Sequence, residues 1–267
     1  IYVSTGTTLN MTGGTVSGNI AVTNDGKLKN GAGIYLLAGT ANISGGTILG
    51  HKAANGAAIF MCLSGTKYPT LNLSGDVLIT GNTATAAGGA ISATGEGTTI
   101  TMTGGTISKN TAKNGGGVII QTKSAFTMTG GKITGNTATS TGGGVYVSTS
   151  TTFTMTGGAI DANHATVGGG GVCLLRSRGT FKGGSVSNNT AENHGGIRVS
   201  GASVTIHNLN LVGNKATGKL NEEGKYTGGN GGGLFAGQLT YNAGGEKRIA
   251  VPKVTIYNIY AANNFAN

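Results

Sequence analysis

Residues 118–147 read VIIQTKSAFTMTGGKITGNTATSTGGGVYV, and the same phrase then starts again, with Phe153-Thr154-Met155 repeating Phe126-Thr127-Met128. Three landmarks recur in it. A glycine cluster precedes Ile, Val or Leu, as at Gly117-Val118 and Gly144-Val145. An apolar pair then stands two residues apart, here Phe126/Met128, and period-two alternation puts both on one face of a strand. Last, an apolar residue is followed three positions later by Asn, here Ile133 and Asn136.

Working outward from this stretch, the glycine anchors lie at Ile34, Ile59, Ile91, Val118, Val145, Val172, Ile197 and Leu234, with Ile1 as a truncated first copy. The apolar pairs extend to Leu9/Met11, Ala41/Ile43, Leu71/Leu73, Ile100/Met102, Phe153/Met155, Val204/Ile206 and Val254/Ile256, and the seventh copy shortens to Thr180-Phe181-Lys182. Strands this short, each with one apolar pair, close no core singly. Stacked coils do, because each strand pairs in parallel with its equivalents above and below. The expected fold is therefore all-β: a right-handed parallel β-helix of about nine coils of three short strands, one domain over residues 1–267, about 43 Å long. Antiparallel hairpins would want two-residue Asn-Gly turns between strands, which this spacing lacks.

The third landmark predicts a structural Asn ladder of Asn19, Asn82, Asn110, Asn136, Asn163, Asn189, Asn214 and Asn263, with His51 in place of one member. An Asn at the same corner of every coil can bond turn amides and carbonyls that a sharp bend leaves unpaired. A metal or ligand column is the alternative. Longer copies carry extra residues at 20–30, 64–70, 215–230 and 237–252, and loops on a solenoid are where function is commonly grafted.

Composition supports strands and glycine corners: 53 Gly, 2 Pro, no Trp and only 10% charged residues. No apolar run is long enough to span a membrane, so this segment is not expected to insert into one. The opening at Ile1-Tyr2-Val3 falls in mid-repeat, which points to a segment of a longer protein. Cys62 and Cys173 fall four repeats apart, about 19 Å, too far for a disulfide.

Glycine pairs before an aliphatic residue, as in Gly88-Gly89-Ala90-Ile91, alternate with apolar-x-x-Asn. Together with runs such as Met128-Thr129-Gly130-Gly131 and Asn136-Thr137-Ala138, they resemble the passenger domains of chlamydial polymorphic outer-membrane proteins and other adhesin-like repeat proteins of bacterial surfaces. This chain has Ile, Val, Leu or Tyr where the chlamydial pattern prefers Phe. The resemblance implies an extracellular protein, secreted or on the bacterial cell surface, such as an autotransporter passenger or adhesin. It transfers no catalytic residue.

Parallel β-helices also carry polysaccharide lyases and hydrolases, whose sites cluster carboxylates to bind Ca²⁺ or to act as acid and base. The eight acids here (Asp25, Asp76, Glu96, Asp161, Glu192, Glu222, Glu223 and Glu246) do not fall at matching positions of adjacent coils. The nearest polar constellation is Asp161, His164, Glu192, His194 and Arg198, with Arg176 and Arg178 close in sequence. No catalytic residue, metal site or cofactor is expected, and catalysis is the alternative function. The outward position after each glycine anchor reads Tyr2, Tyr35, Phe60, Ser92, Ile119, Tyr146, Cys173, Arg198 and Phe235. An exposed aromatic and aliphatic stripe of this kind can stack on sugars or meet a protein, which marks Tyr2, Tyr35, Phe60, Ile119, Tyr146, Arg198 and Phe235 as candidate binding residues. Thr101/Thr103, Thr127/Thr129 and Thr154/Thr156 raise ice binding as a further alternative, and a purely structural spacer is another. The net charge of +10 favours anionic glycans, but no recognition helix or arginine-dense stripe supports nucleic acid. The expected function is an adhesin-like or structural surface protein presenting a non-catalytic face to a glycan or host protein.

Overall fold

A computed structural model describes residues 1–220, 226–243 and 246–266, and every regular element in them is a strand. The chain is a parallel β-solenoid. Sheet A, as we name it, stacks nine strands that begin at the glycine anchors, from Tyr2–Val3 through Val145–Val147 to Leu234–Gly237. Sheet B holds the strands of the apolar pairs and, across a bend, those that lead into the Asn corner. Sheet C stacks eight strands that follow the Asn, including Thr137–Thr141 and His164–Gly168.

A representative coil thus has four strand segments: Val145–Val147, Thr152–Met155, Ala159–Asp161 and His164–Gly168. The sequence reading of three strands per coil missed the last of these. In the coil of Thr40–Leu49, the two segments of sheet B run together as one ten-residue strand. The count of nine coils also needs adjustment, to about seven regular turns. The first coil lacks a sheet C strand, and long insertions loosen the last.

Register is continuous between coils through sheet A and, beyond its first pair, through sheet B, whereas sheet C carries bulges. Phe126 pairs with Phe153, Met128 with Met155 and Ile133 with Ile160. The interior is therefore a set of axial columns of like residues, joined in one continuous apolar cluster from Val3 to Leu211. Phe126 and Phe153 share one column, ring centroids 5.3 Å apart, while Phe181 stands in the neighbouring column below Met155 and meets the Phe153 ring edge-on at 5.6 Å. In the shortened seventh copy the inward pair is Gly179/Phe181. An added Cβ on Gly179 would lie 2.5 Å from Leu174, so that side chain occupies the space.

Sheet C has a separate and thinner core of alanines. Ala138, Ala165 and Ala191 form one cluster, and Ala53, Ala57, Ala84 and Ala112 another. Between sheets C and A the chain turns through the glycine cluster, where coils approach too closely for side chains. An added Cβ on Gly143 would lie 2.4 Å from the carbonyl oxygens of both Gly170 and His164.

The Asn ladder lies at the corner between sheets B and C, wholly buried through most of its length. Asn136 Oδ1 accepts from the Asn110 backbone N–H and Nδ2, each at 3.0 Å. Asn136 Nδ2 donates onward to Asn163 Oδ1 at 2.9 Å and back to the Ile107 carbonyl at 3.0 Å. The pattern repeats from Asn82 to Asn214. His51 imitates it: its Nδ1 accepts from the Asn19 N–H at 3.0 Å, and its Nε2 faces the Val16 carbonyl at 3.1 Å. The last rung is Asn264, not Asn263. Asn214 N–H and Nδ2 both reach Asn264 Oδ1 at 3.0 Å, while Asn263 takes the left-handed bend beside it, with φ of 52°.

Candidate functional site: a cationic cleft at the corner of sheets A and B

The expected binding column on sheet A is in perfect register from Tyr2 through Tyr35, Phe60, Ser92, Ile119, Tyr146, Cys173 and Arg198 to Phe235. Its rings do stack at one end, Tyr2 on Tyr35 at 5.7 Å and Tyr35 against Phe60 at 5.3 Å. Most of it is covered, however. Phe60 and Ile119 are 6% and 2% exposed, and Tyr35, Tyr146, Arg198 and Phe235 are half-buried, leaving only Tyr2 well exposed. The cover is the glycine corner that leads into each sheet A strand. Gly142, at φ of 70°, passes so close that a Cβ there would lie 2.9 Å from Tyr146 Cβ. Burial pushes the Tyr146 hydroxyl up to about 12. These residues therefore line a subsidiary core more than an open stripe.

The polar constellation read from sequence is not one site. Asp161 lies on sheet B, accepting from Ser187 Oγ and Asn188 Nδ2 at 3.1 and 2.9 Å. His164 lies on sheet C, where its Nδ1 meets Thr190 Oγ1 at 3.0 Å. His194 is buried against the Phe235 ring, 3.8 Å between centroids, and neither of its nitrogens has a partner. Burial, with Arg198 nearby, pushes its pKa down to about 4. Among the described residues no three of His, Cys, Asp and Glu gather closely enough to hold a metal ion. Glu222 and Glu223 lie outside the described residues, as does the whole 221–225 stretch of that insertion. Cys62 and Cys173 are both free thiols, on different columns of sheet A.

The concavity with the most chemistry lies where each coil turns from sheet A to sheet B. Successive turns place Lys123, Ser150, Arg176 and Gly201 there, all with positive φ. The insertion at 237–252 folds as an antiparallel hairpin, Leu239–Ala243 with Glu246–Ala250. It packs on the bare Gly201, where an added Cβ would lie 2.5 Å from Ala250 Cβ. Between hairpin and turns is a cleft of about 640 Å³ whose lining includes Lys123, Arg176, Arg178, Ser177, Tyr241 and the 150–152 hydroxyls. The Arg176 guanidinium lies over the Tyr241 ring, 4.1 Å from its centroid, a cation–π contact that orients the fork. Arg176 Nε and Ser177 Oγ are shielded from solvent and make no hydrogen bond. Ordinarily such buried groups are paired, because an orphan costs about 1–3 kcal/mol.

Charge in the cleft is of one sign. Lys123 pairs with Glu96 at 2.7 Å, both well exposed, and this contact raises the lysine pKa. Among the described residues, neither Arg176 nor Arg178 has a carboxylate within ion-pairing distance. The arginines were visible in sequence, but not their grouping, which depends on a hairpin arriving from a later coil. What the sequence did offer was the location of that insertion, between the first and second strands of its coil. Comparison of this chain with protein-family models, with curated proteins and with solved structures finds no match.

Proposed function

We propose that this chain is an adhesin-like, non-catalytic binding solenoid of the bacterial cell surface or its surroundings, with the hairpin-walled corner cleft as its binding ground. The cleft itself carries the proposal: it is a concavity of ligand size, built by an insertion that the solenoid does not need for stacking, and lined by cations and hydroxyls. The in-register coils supply a rigid mount for it. The surface repeat proteins that the sequence resembles supply the setting.

The test is a glycan and host-protein array probed with the labelled chain and with a Tyr241→Ala, Arg178→Ala variant. Binding that falls in the variant supports the proposal, and binding indifferent to both changes moves the site elsewhere. Incubation with acidic polysaccharides, with and without Ca²⁺, should release no unsaturated or reducing ends. Their release would replace a binding protein with a polysaccharide-degrading enzyme.

A further inference from the structure

We infer that the corner cleft is an oxyanion site, taking a carboxylate or sulfate group carried on a glycan chain, with the Arg176 and Arg178 guanidinium groups as the receiving donors and the unpaired Ser177 hydroxyl beside them. This rests on the reading of that cleft as the binding ground. The first argument is electrostatic. Arg176 and Arg178 face the cleft without carboxylate partners, and no Asp or Glu is among the described residues that line it. A cavity lined by one sign of charge concentrates ions of the other.

The second argument is the unmet hydrogen-bonding capacity. Ser177 is only 5% exposed, yet its hydroxyl has no partner, and the adjacent Arg176 Nε is likewise unpaired. Neighbouring unpaired donors, one of them cationic, suit a group with two oxygens. Arginine meets carboxylate and sulfate through parallel N–H donors, which a lysine ammonium cannot reproduce. The Tyr241 ring holds the guanidinium plane in place, so little ordering is left for the ligand to impose.

The third argument concerns what surrounds the anion. The cleft is several times larger than one carboxylate needs, and Ser150, Thr152 and Ser203 add neutral hydroxyls around the arginines. That combination fits an anionic group flanked by sugar hydroxyls. Uronate carboxylates and sulfate half-esters share this chemistry.

Calorimetric titration of the full chain tests the inference with three probes: carrageenan oligosaccharides bearing sulfate half-esters only, oligogalacturonate bearing carboxylates only, and neutral maltooligosaccharides. Variants are Arg176→Lys, which keeps the charge but loses the Nε fork, Ser177→Ala, and Lys132→Ala as an exposed lysine outside the cleft. The expected result is binding of one or both anionic probes and not the neutral one. Arg176→Lys and Ser177→Ala should each weaken it by at least about tenfold, and Lys132→Ala by less than about twofold. The stronger anionic probe identifies sulfate or carboxylate as the recognised group. Anionic binding unchanged by both Arg176→Lys and Ser177→Ala overturns the inference, as does failure of both anionic probes to bind. An array partner that is neutral yet lost in the Tyr241→Ala, Arg178→Ala variant would overturn this inference while leaving the cleft as the binding ground.

Discussion

Replacing Asn136 by Ala in the middle of the ladder isolates what the Asn corner contributes. The side chain is completely buried and makes four hydrogen bonds, two received at Oδ1 and two donated from Nδ2. Alanine leaves the Asn110 backbone N–H and the Ile107 carbonyl without those partners. Asn163 Oδ1 keeps one donor, the backbone N–H of residue 136. Two backbone groups orphaned at about 1–3 kcal/mol each, with partial relief from a water entering the vacated space, give an expected loss of about 2–4 kcal/mol. The chain has no Trp, so unfolding in urea is best followed by far-ultraviolet circular dichroism. Thr134→Ala, on the outer face of the preceding strand, is the reference, with an expected change within about 0.5 kcal/mol. A loss at Asn136 no larger than that reference would refute the argument that the ladder satisfies otherwise stranded backbone groups.

Three further outcomes are expected. Burial holds the His51 imidazole below the usual histidine pKa, and its Nδ1 acts as an acceptor. The unfolded state therefore binds the proton more readily, so this contribution to stability is full above about pH 6.5 and is lost as pH falls below it. His51→Asn should remove that part of the acid sensitivity, and a stability difference between variant and parent that is the same at pH 7.5 and pH 5 would refute it. Phe153→Ala should cost about 3–5 kcal/mol in urea unfolding, because Phe153 is fully buried against the rings of Phe126 in its own column and Phe181 in the next; a cost below about 1 kcal/mol would mean this part of the core is loosely packed. Burial pushes the Cys173 thiol up to about 11, whereas Cys62 is half-buried with its Sγ 3.3 Å from Tyr35 Oη. A disulfide reagent at pH 8 should therefore modify Cys62 first and Cys173 only on unfolding, and rapid native labelling of both thiols would contradict this packing.

How much of this was readable in the sequence depends on side-chain size. Phe126, Met128 and their equivalents alternate with Thr, so their strands and register were plain. Sheet C was missed because its inward residue is Ala, too small to stand out as an apolar pair. A signal was nonetheless present, since an alanine stands two residues beyond Asn82, Asn110, Asn136, Asn163, Asn189 and Asn214. The slip to Asn263 has the same origin. Ala261 takes the place of Leu211 in the last coil, while the conspicuous Tyr260 pairs with outward Asn210, so counting from the larger residue shifted the register by one. The covered aromatic column shows a different limit. Period-two alternation states which face a residue is on, but not whether a glycine turn of the same coil closes over that face. The cleft was hidden for a third reason, since its wall is an insertion that arrives two coils beyond its arginines.

The Asn ladder has a direction. From Asn110 to Asn264, every side-chain oxygen is turned toward the preceding coil and receives that coil's backbone and amide protons. The amide dipoles consequently add along the axis and polarise one another, unlike strand dipoles, which nearly cancel. The same asymmetry makes each corner complete only when a further coil follows it, because the oxygen that receives its backbone N–H belongs to the next Asn along the chain.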